Sequence, residues 1–241
     1  MNIAALLTGR GNNTFEDKNI QPVLGRPLLH YPALAAKKSA QISSFYVSSD
    51  CAKILDAAAQ VGYSKIERPD ELSQPNSQHI DAITHALGHI TTEKGEKPDI
   101  LVVMLANSVT IKTEWIDRCI SFLYEDNSLS AAAPVYREMD HHPYRAKKLS
   151  DEGLCEPFFE FGDRKISTNR QDLEPCYFFS HNFWVLRVKS FESGQGQQPW
   201  YFMGNRVKPL IIDEAFDVHE KSDLAKSEEW LLKENINYDK L

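Results

Sequence analysis

Residues 100–105 read Ile-Leu-Val-Val-Met-Leu, an unbroken apolar run closed by Ala106-Asn107-Ser108. A strand with one wetted face alternates apolar and polar residues. A short run with no polar interruption needs cover on both faces. Such strands belong to parallel sheets whose crossover helices pack on either side, so helices should lie between strands along the chain. The sequence shows that rhythm. Strands are predicted at 3–7, 44–47, 65–67, 100–105 and 130–135. Helices are predicted at 27–38, 51–61, 80–90 and 115–123, the second capped by Asp50 and stopped by Gly62. Two late strands, 183–188 and 208–212, precede a terminal helix at 223–234. The expectation is an α/β fold, a three-layer α/β/α Rossmann-like arrangement around a mostly parallel sheet.

Between residues 136 and 180 helical periodicity is absent and aromatics are frequent, including Tyr144, Phe158, Phe159 and Phe161. This region reads as extended strands and loops, an arm suited to dimerisation. The chain of 241 residues, 42% hydrophobic and 25% charged, suits a single domain (1–241) with 136–180 as a subregion. A net charge of −7 argues against a protein that grips nucleic acid. No stretch approaches the roughly 18 apolar residues of a membrane span, so no membrane insertion is expected. The opening residues lack a basic n-region and read as a first strand rather than a signal peptide. Cys51, Cys119, Cys155 and Cys176 form no CxxC pair, consistent with reduced thiols in a cytoplasmic protein.

Ligands of open α/β sheets bind beyond the carboxyl ends of the strands. Here those ends are residues 8–11, 48–50 and 106–108, all small or polar. The loop Thr8-Gly9-Arg10-Gly11-Asn12-Asn13 has two glycines that let backbone amides approach an anion, and Arg10 and Lys18 add positive charge. It matches neither GxxxxGK[ST] nor GxGxxG, so a phosphate-binding loop and an ordinary Gly-rich turn both remain open. His141 and His142 are adjacent, a poor spacing for a shared metal. No GxSxG elbow is present.

Leu7-Thr8-Gly9-Arg10-Gly11, Lys18-Asn19-Ile20 and Leu24-Gly25-Arg26-Pro27-Leu28 resemble the opening of the cytidylyltransferases that activate nine-carbon and eight-carbon acidic sugars, the CMP-sialic acid synthetases and the related Kdo enzymes. The resemblance continues through Val47-Ser48-Ser49-Asp50, Arg68-Pro69-Asp70-Glu71-Leu72, Ile80-Asp81, His141-His142-Pro143-Tyr144, Arg170-Gln171-Asp172-Leu173, Lys208-Pro209 and Asp213-Glu214 to Asp217. It implies a nucleotide-diphospho-sugar transferase-like fold, usually a homodimer. The implied chemistry transfers CMP from CTP to the anomeric hydroxyl of a sialic, legionaminic or pseudaminic type acid, with magnesium (or manganese) as cofactor, for surface glycan assembly.

By that resemblance Leu7, Thr8, Gly9, Arg10, Gly11, Lys18, Asn19, Arg68 and Gln78 would bind the nucleotide. Arg10, Lys18 and Asp217 would carry catalysis, and Asn107, Arg145, Arg170 and Gln171 would meet the sugar. A guanidinium fork suits a carboxylate, although a surface or dimer ion pair explains Arg145 and Arg170 equally well. Three blocks depart from the family pattern: Asn12-Asn13-Thr14 after Arg10-Gly11, Gln78-His79 before Ile80-Asp81, and residues 105–110. A fourth departure is Asp217-Val218-His219, where the family has Asp-Ile-Asp. Residues i and i+2 of an extended segment share a face, so Asp217 and His219 are the candidate metal pair, with imidazole a poor magnesium ligand. Two other readings stand beside this one: a nucleotidyltransferase of the same fold using another nucleotide or a sugar phosphate, and a catalytically silent nucleotide-binding homologue.

Overall fold

The computed structural model describes residues 1–11 and 13–238. In chain order the strands are β1 (Ile3–Thr8), the short hairpin β2 (Pro22–Val23) and β3 (Arg26–Pro27), β4 (Ser44–Ser49), β5 (Ser64–Glu67), β6 (Ile100–Leu105), β7 (Ala131–Arg137), β8 (Lys147–Leu149), β9 (Cys155–Pro157), β10 (Tyr177–Phe179), β11 (Phe183–Arg187) and β12 (Val207–Ile211). The helices are α1 (His30–Lys37), α2 (Ala52–Ala59), α3 (His79–Lys94), α4 (Thr113–Glu125), α5 (Val188–Ser193) and α6 (Ser222–Lys233).

All six residues of β1 are buried, and the strand is flanked by β4 on one edge and β6 on the other, both parallel. β5 extends the parallel set beyond β4. On the other side the sheet turns mixed: β11 runs antiparallel between β6 and β7, β10 continues antiparallel along β7, and β12 pairs parallel with β7. The sequence rhythm predicted the parallel half. The antiparallel half arises because 136–180 returns the chain without a crossover helix.

The pleat divides β1 between two cores. Ile3, Ala5 and Leu7 pack with residues of α1, α2, α4 and α6, while Ala4 and Leu6 pack with Ile83, Ala86, Leu87 and Ile90 of α3 and with Phe191 of α5. The three layers expected from the run in β6 follow from this division. Each buried aliphatic side chain contributes about 1.5–3 kcal/mol, so a strand covered on both faces anchors the sheet.

Several local expectations need correction. The first helix starts at His30, not residue 27, because Arg26 and Pro27 pair in a hairpin and the amides of Leu28 and Leu29 donate to Gln21 and Asn19 carbonyls. Asp50 does not cap α2. Cys51 holds that place, and the Asp50 carboxylate accepts from the Gly11 amide at 2.9 Å. Helix α5 was not predicted; its six residues are too few for a visible period. Within 136–180, β7 runs on to Arg137, β8 and β9 form an exposed hairpin, and β10 joins the main sheet beside β7. Leu149 (71% exposed), Leu154 (61%) and Phe158 (57%) face solvent there. All four cysteines are free thiols, and no described helix is long and apolar enough to cross a membrane.

Gly204 holds the entry to β12 against the start of β7. It has φ +78°, and an added Cβ would lie 2.5 Å from Ser130 Cβ and 2.6 Å from its hydroxyl. That hydroxyl accepts from the Arg206 amide at 3.0 Å. Gly204→Ala should therefore lose about 2–4 kcal/mol in equilibrium urea unfolding. An unchanged midpoint would refute the close approach.

Candidate active site

Thr8, Ser48 and Leu105 are in register at the carboxyl ends of three adjacent strands. Beyond them opens a cleft of about 410 Å³ lined by the first loop (Thr8 to Lys18 and Asn19), the Arg68 to Ala82 segment, Leu105, Asn107 and His219. The loop after β1 can bend this closely because its glycines have no side chains. A Cβ on Gly9 would meet Ala106 Cβ and Asn19 Nδ2, each at 3.0 Å, and one on Gly11 would meet Cys51 Cβ at 2.9 Å.

The cations are arranged differently from one another. Arg68 is buried and pinned, donating from Nε to Ser48 Oγ (3.1 Å) and from Nη2 to Ser48 O (2.7 Å). Burial pushes its guanidinium down to about 10, with Asp50 opposing the shift and Arg10 adding to it. Arg10 donates from Nη1 to Gln74 O at 3.2 Å. Lys18 lies in a single 3-10 turn and is only 6% exposed, yet its ammonium donates to no protein acceptor among the described residues. Among the described residues only Ser73 Oγ and His85 Nδ1 are buried side-chain atoms without a partner, so Lys18 Nζ reaches solvent through the cleft it lines. Burial lowers the Lys18 pKa; Asp217 opposes that shift.

The far wall comes from the segment before α6. Val218 is fully buried and its amide donates to Asn107 O at 2.8 Å, while Ser108 and Thr110 hydroxyls donate to Phe216 O at 3.0 and 3.2 Å. With Val218 turned inward, Asp217 and His219 share the opposite side, with Asp217 Oδ2 and His219 Nε2 4.0 Å apart. Thr14 Oγ1 donates to His219 O at 2.6 Å and ties the first loop to this wall. Burial raises the Asp217 pKa to about 7, with Lys18 pulling the other way. Among the described residues no group of three or more His, Cys, Asp or Glu side chains could hold a metal. His219 lines the cleft and Asp217 stands beside it outside the lining, so the candidate donor set is one carboxylate and one imidazole, which suits an ion that takes most of its ligands from phosphate oxygens and water.

Not every residue singled out from the sequence meets at this cleft. Thr8, Gly9, Arg10, Lys18, Asn19, Arg68, Gln78, Asn107 and His219 line it. Leu7 is sealed in the core, and Gly11 lies behind the loop. The amides expected to meet phosphate are already donating, Gly9 N to Ser48 O (3.2 Å) and Gly11 N to Asp50. Arg145 and Arg170 lie outside the cleft and converge on Asp140, Arg145 through the Asp140 carbonyl and Arg170 through its carboxylate. Gln171 is exposed beside them. His142 is structural: its Nδ1 accepts from the Tyr144 amide at 3.1 Å. His79 and His181 were not assigned from the sequence. His79 lines the cleft, and His181 packs between Trp184 and Trp200 with ring centroids at 6.1 and 5.1 Å. The available signal for His79 was its place at the start of a helix beyond the strand ends.

The family model described as Cytidylyltransferase matches residues 10–151, more than half of the chain. The chain belongs to the cytidylyltransferase family. It is 23% identical over 218 residues to N-acylneuraminate cytidylyltransferase A of Danio rerio, covering 89% of this chain and 49% of that protein. The chain thus spans about half the length of this curated relative. Among solved structures it is similar to CMP:2-keto-3-deoxy-manno-octonic acid synthetase complexed with CTP (TM-score 0.69, 11% identity, 97% of this chain and 100% of that one). It is also similar to 4-diphosphocytidyl-2C-methyl-D-erythritol synthase of Anaerococcus prevotii DSM 20548 (TM-score 0.65, 12% identity, 96% and 98%). At these identities the likeness is one of fold. The three-layer sheet is therefore the nucleotide-diphospho-sugar transferase-like fold shared by these cytidylyltransferases.

The Asp217 shift makes a pH statement. A carboxyl whose folded pKa is raised from 3.8 to about 7 stabilises the fold at low pH, and that stability is lost as pH rises through the folded value. In metal-free buffer the wild-type protein should lose stability relative to Asp217→Asn between about pH 4 and pH 7, by an order of 2–4 kcal/mol. Parallel stability-versus-pH curves for the two proteins would place Asp217 in ordinary solvent.

Proposed function

We propose that this cytidylyltransferase-family chain transfers CMP from CTP to the anomeric hydroxyl of a sialic-acid-like ulosonic acid in the cytoplasm, releasing pyrophosphate. The observation that carries the reading is Lys18. Its side chain is largely buried, and its ammonium, open to the cleft, meets no protein acceptor among the described residues, so an anion there gains more than it would on an open surface. Arg10 and Arg68 flank the same space, so three cations converge there in a chain of net charge −7. That density suits a triphosphate and not a neutral ligand.

In the reaction the sugar hydroxyl oxygen forms a bond to the α-phosphorus and gives up its proton to solvent, while the bond from that phosphorus to the bridging oxygen breaks and pyrophosphate departs with the electron pair. Arg10 and Lys18 neutralise charge that builds on the leaving group. Asn19 and Arg68 hold the nucleoside side, and Asn107 faces the sugar. Asp217, with His219 beside it, would hold magnesium through one carboxylate. The ion when bound supplies charge neutralisation at the phosphates and order for the attack. The exposed Leu149, Leu154 and Phe158 on 136–180 support a homodimer formed through that arm.

A second reading, a sugar-1-phosphate substrate, is favoured by one observation: Arg145 and Arg170 are drawn to Asp140 and not to the cleft. Pyrophosphate release separates the two. Each nucleoside triphosphate is offered with a panel of acidic sugars and sugar phosphates, and with magnesium or manganese. Release with CTP and an acidic nine- or eight-carbon sugar is expected. Release only with a sugar phosphate establishes the second reading, and no release with any pair removes both. Arg10→Ala should lower kcat/KM by about 100-fold or more; wild-type turnover with unchanged CTP affinity would remove Arg10 from the phosphate site.

A further inference from the structure

The loop after β1 is tied to both sides of the cleft. On one side Arg10 donates from Nη1 to Gln74 O at 3.2 Å. On the other, Thr14 Oγ1 donates to His219 O at 2.6 Å, and among the described residues no other hydrogen bond joins this loop to that wall. Thr14 and His219 are both exposed and both line the cleft, so their bond lies at its mouth. The two ties differ in kind. Arg10 is a cation, and an anionic ligand draws it away from a neutral carbonyl. The Thr14 hydroxyl and the His219 carbonyl carry no charge, and a carbonyl oxygen has no attraction for an anion. This second tie can therefore stand over an occupied cleft as it does over an empty one.

Both ends of the Thr14 tie are braced. On the loop, the Arg10 carbonyl accepts from Asn13 Nδ2 at 2.5 Å and from Asn19 Nδ2 at 3.2 Å, which links the residue before Thr14 to the turn that carries Lys18. Phe15 packs against the core, and Asp17 binds the Lys53 ammonium at 2.6 Å. On the wall, Val218 is buried, and the amides of His219 and Glu220 both donate to Asp223 Oδ2 at 2.9 Å. A bond between two braced ends acts on the gap that separates them. We propose that Thr14 is a positioning residue that latches the cleft. Its bond to His219 O holds the cation-bearing loop against the wall of Asp217, and that bond breaks each time a nucleoside triphosphate enters or a nucleotide or pyrophosphate leaves. The inference rests on the nucleotide-binding reading of the cleft and not on any particular sugar acceptor.

A latch has a kinetic signature that a ligand contact lacks. It slows entry and exit alike and leaves the equilibrium between them almost unchanged. Thr14→Val keeps the shape of the side chain and removes the donor, Thr14→Ala removes it with less bulk, and Thr14→Ser keeps the hydroxyl. Stopped-flow association and dissociation rates would be measured for each with CTP and with inorganic pyrophosphate. In Thr14→Val and Thr14→Ala both rates should rise together by about three- to tenfold, the factor one hydrogen bond supplies, with Kd within about twofold of wild type. Thr14→Ser should restore both rates to within about twofold. Unchanged rates in Thr14→Val and Thr14→Ala overturn the proposal. So does a Thr14→Ser protein that behaves like Thr14→Val. Faster dissociation with unchanged association also overturns it, because Thr14 would then be a contact of the ligand. Protein that shows the expected rates with CTP but never releases pyrophosphate from it removes the proposed reaction and leaves the latch standing. Turnover with an acidic sugar alongside unchanged rates in the variants removes the latch alone, and wild-type protein that binds neither CTP nor pyrophosphate removes both.

Discussion

Thr8 stands where three parallel strands end together, and the placement of the site depends on that shared end. β1 can occupy the centre of the sheet only because both its edges are paired and both its faces are covered, which leaves its backbone no freedom to shift. One residue of slip would turn Ile3, Ala5 and Leu7 into the layer now filled by Ala4 and Leu6. With the register locked, Ser48 is placed to hold Arg68 and Leu105 to lead into Asn107. The hydroxyl of Thr8 itself reaches His79.

The second wall of the cleft is built by a different kind of contact. Residues 216–218 do not belong to the sheet, yet Phe216 O and the Val218 amide are both held by the 107–110 loop. The departure of residues 105–110 from the family pattern has a structural meaning in this chain. Ser108 and Thr110 are fully buried and act as the clamp for the segment that carries Asp217 and His219. With Asp217 half-buried near Lys18, these charges sit where an added anion matters more than it would on an open surface.

How far the sequence could be read follows from which forces are local. The apolar run of β6 and the periodic faces of α3 and α4 record burial directly, so their elements appear close to where they were expected. The loop after β1 was legible as a close-packed turn, because its glycines permit close approach. Its amides were not legible as occupied, since Gly9 and Gly11 donate to Ser48 and Asp50, residues about forty positions away. The role of Asp50 was misread for the same reason: capping is the local choice, and a distant amide outcompeted it. Arg145 and Arg170 carry the right chemistry for a carboxylate, but Asp140 holds both, and charge pairing across a folded arm has no sequence period.

The sequence by itself determined the layered α/β class, the strand ends that face the cleft, and the cations Arg10, Lys18 and Arg68 that line it. Periodicity and residue chemistry act over a few neighbours and survive in a linear string. Only the tertiary structure decided that the Lys18 ammonium opens to the cleft with no protein acceptor among the described residues, that Asp217 is partly desolvated, and that His79 lies beside Thr8. Each of these depends on which atoms are excluded from water and which lone pairs are already taken, and that is settled only when segments distant in the chain are packed against one another.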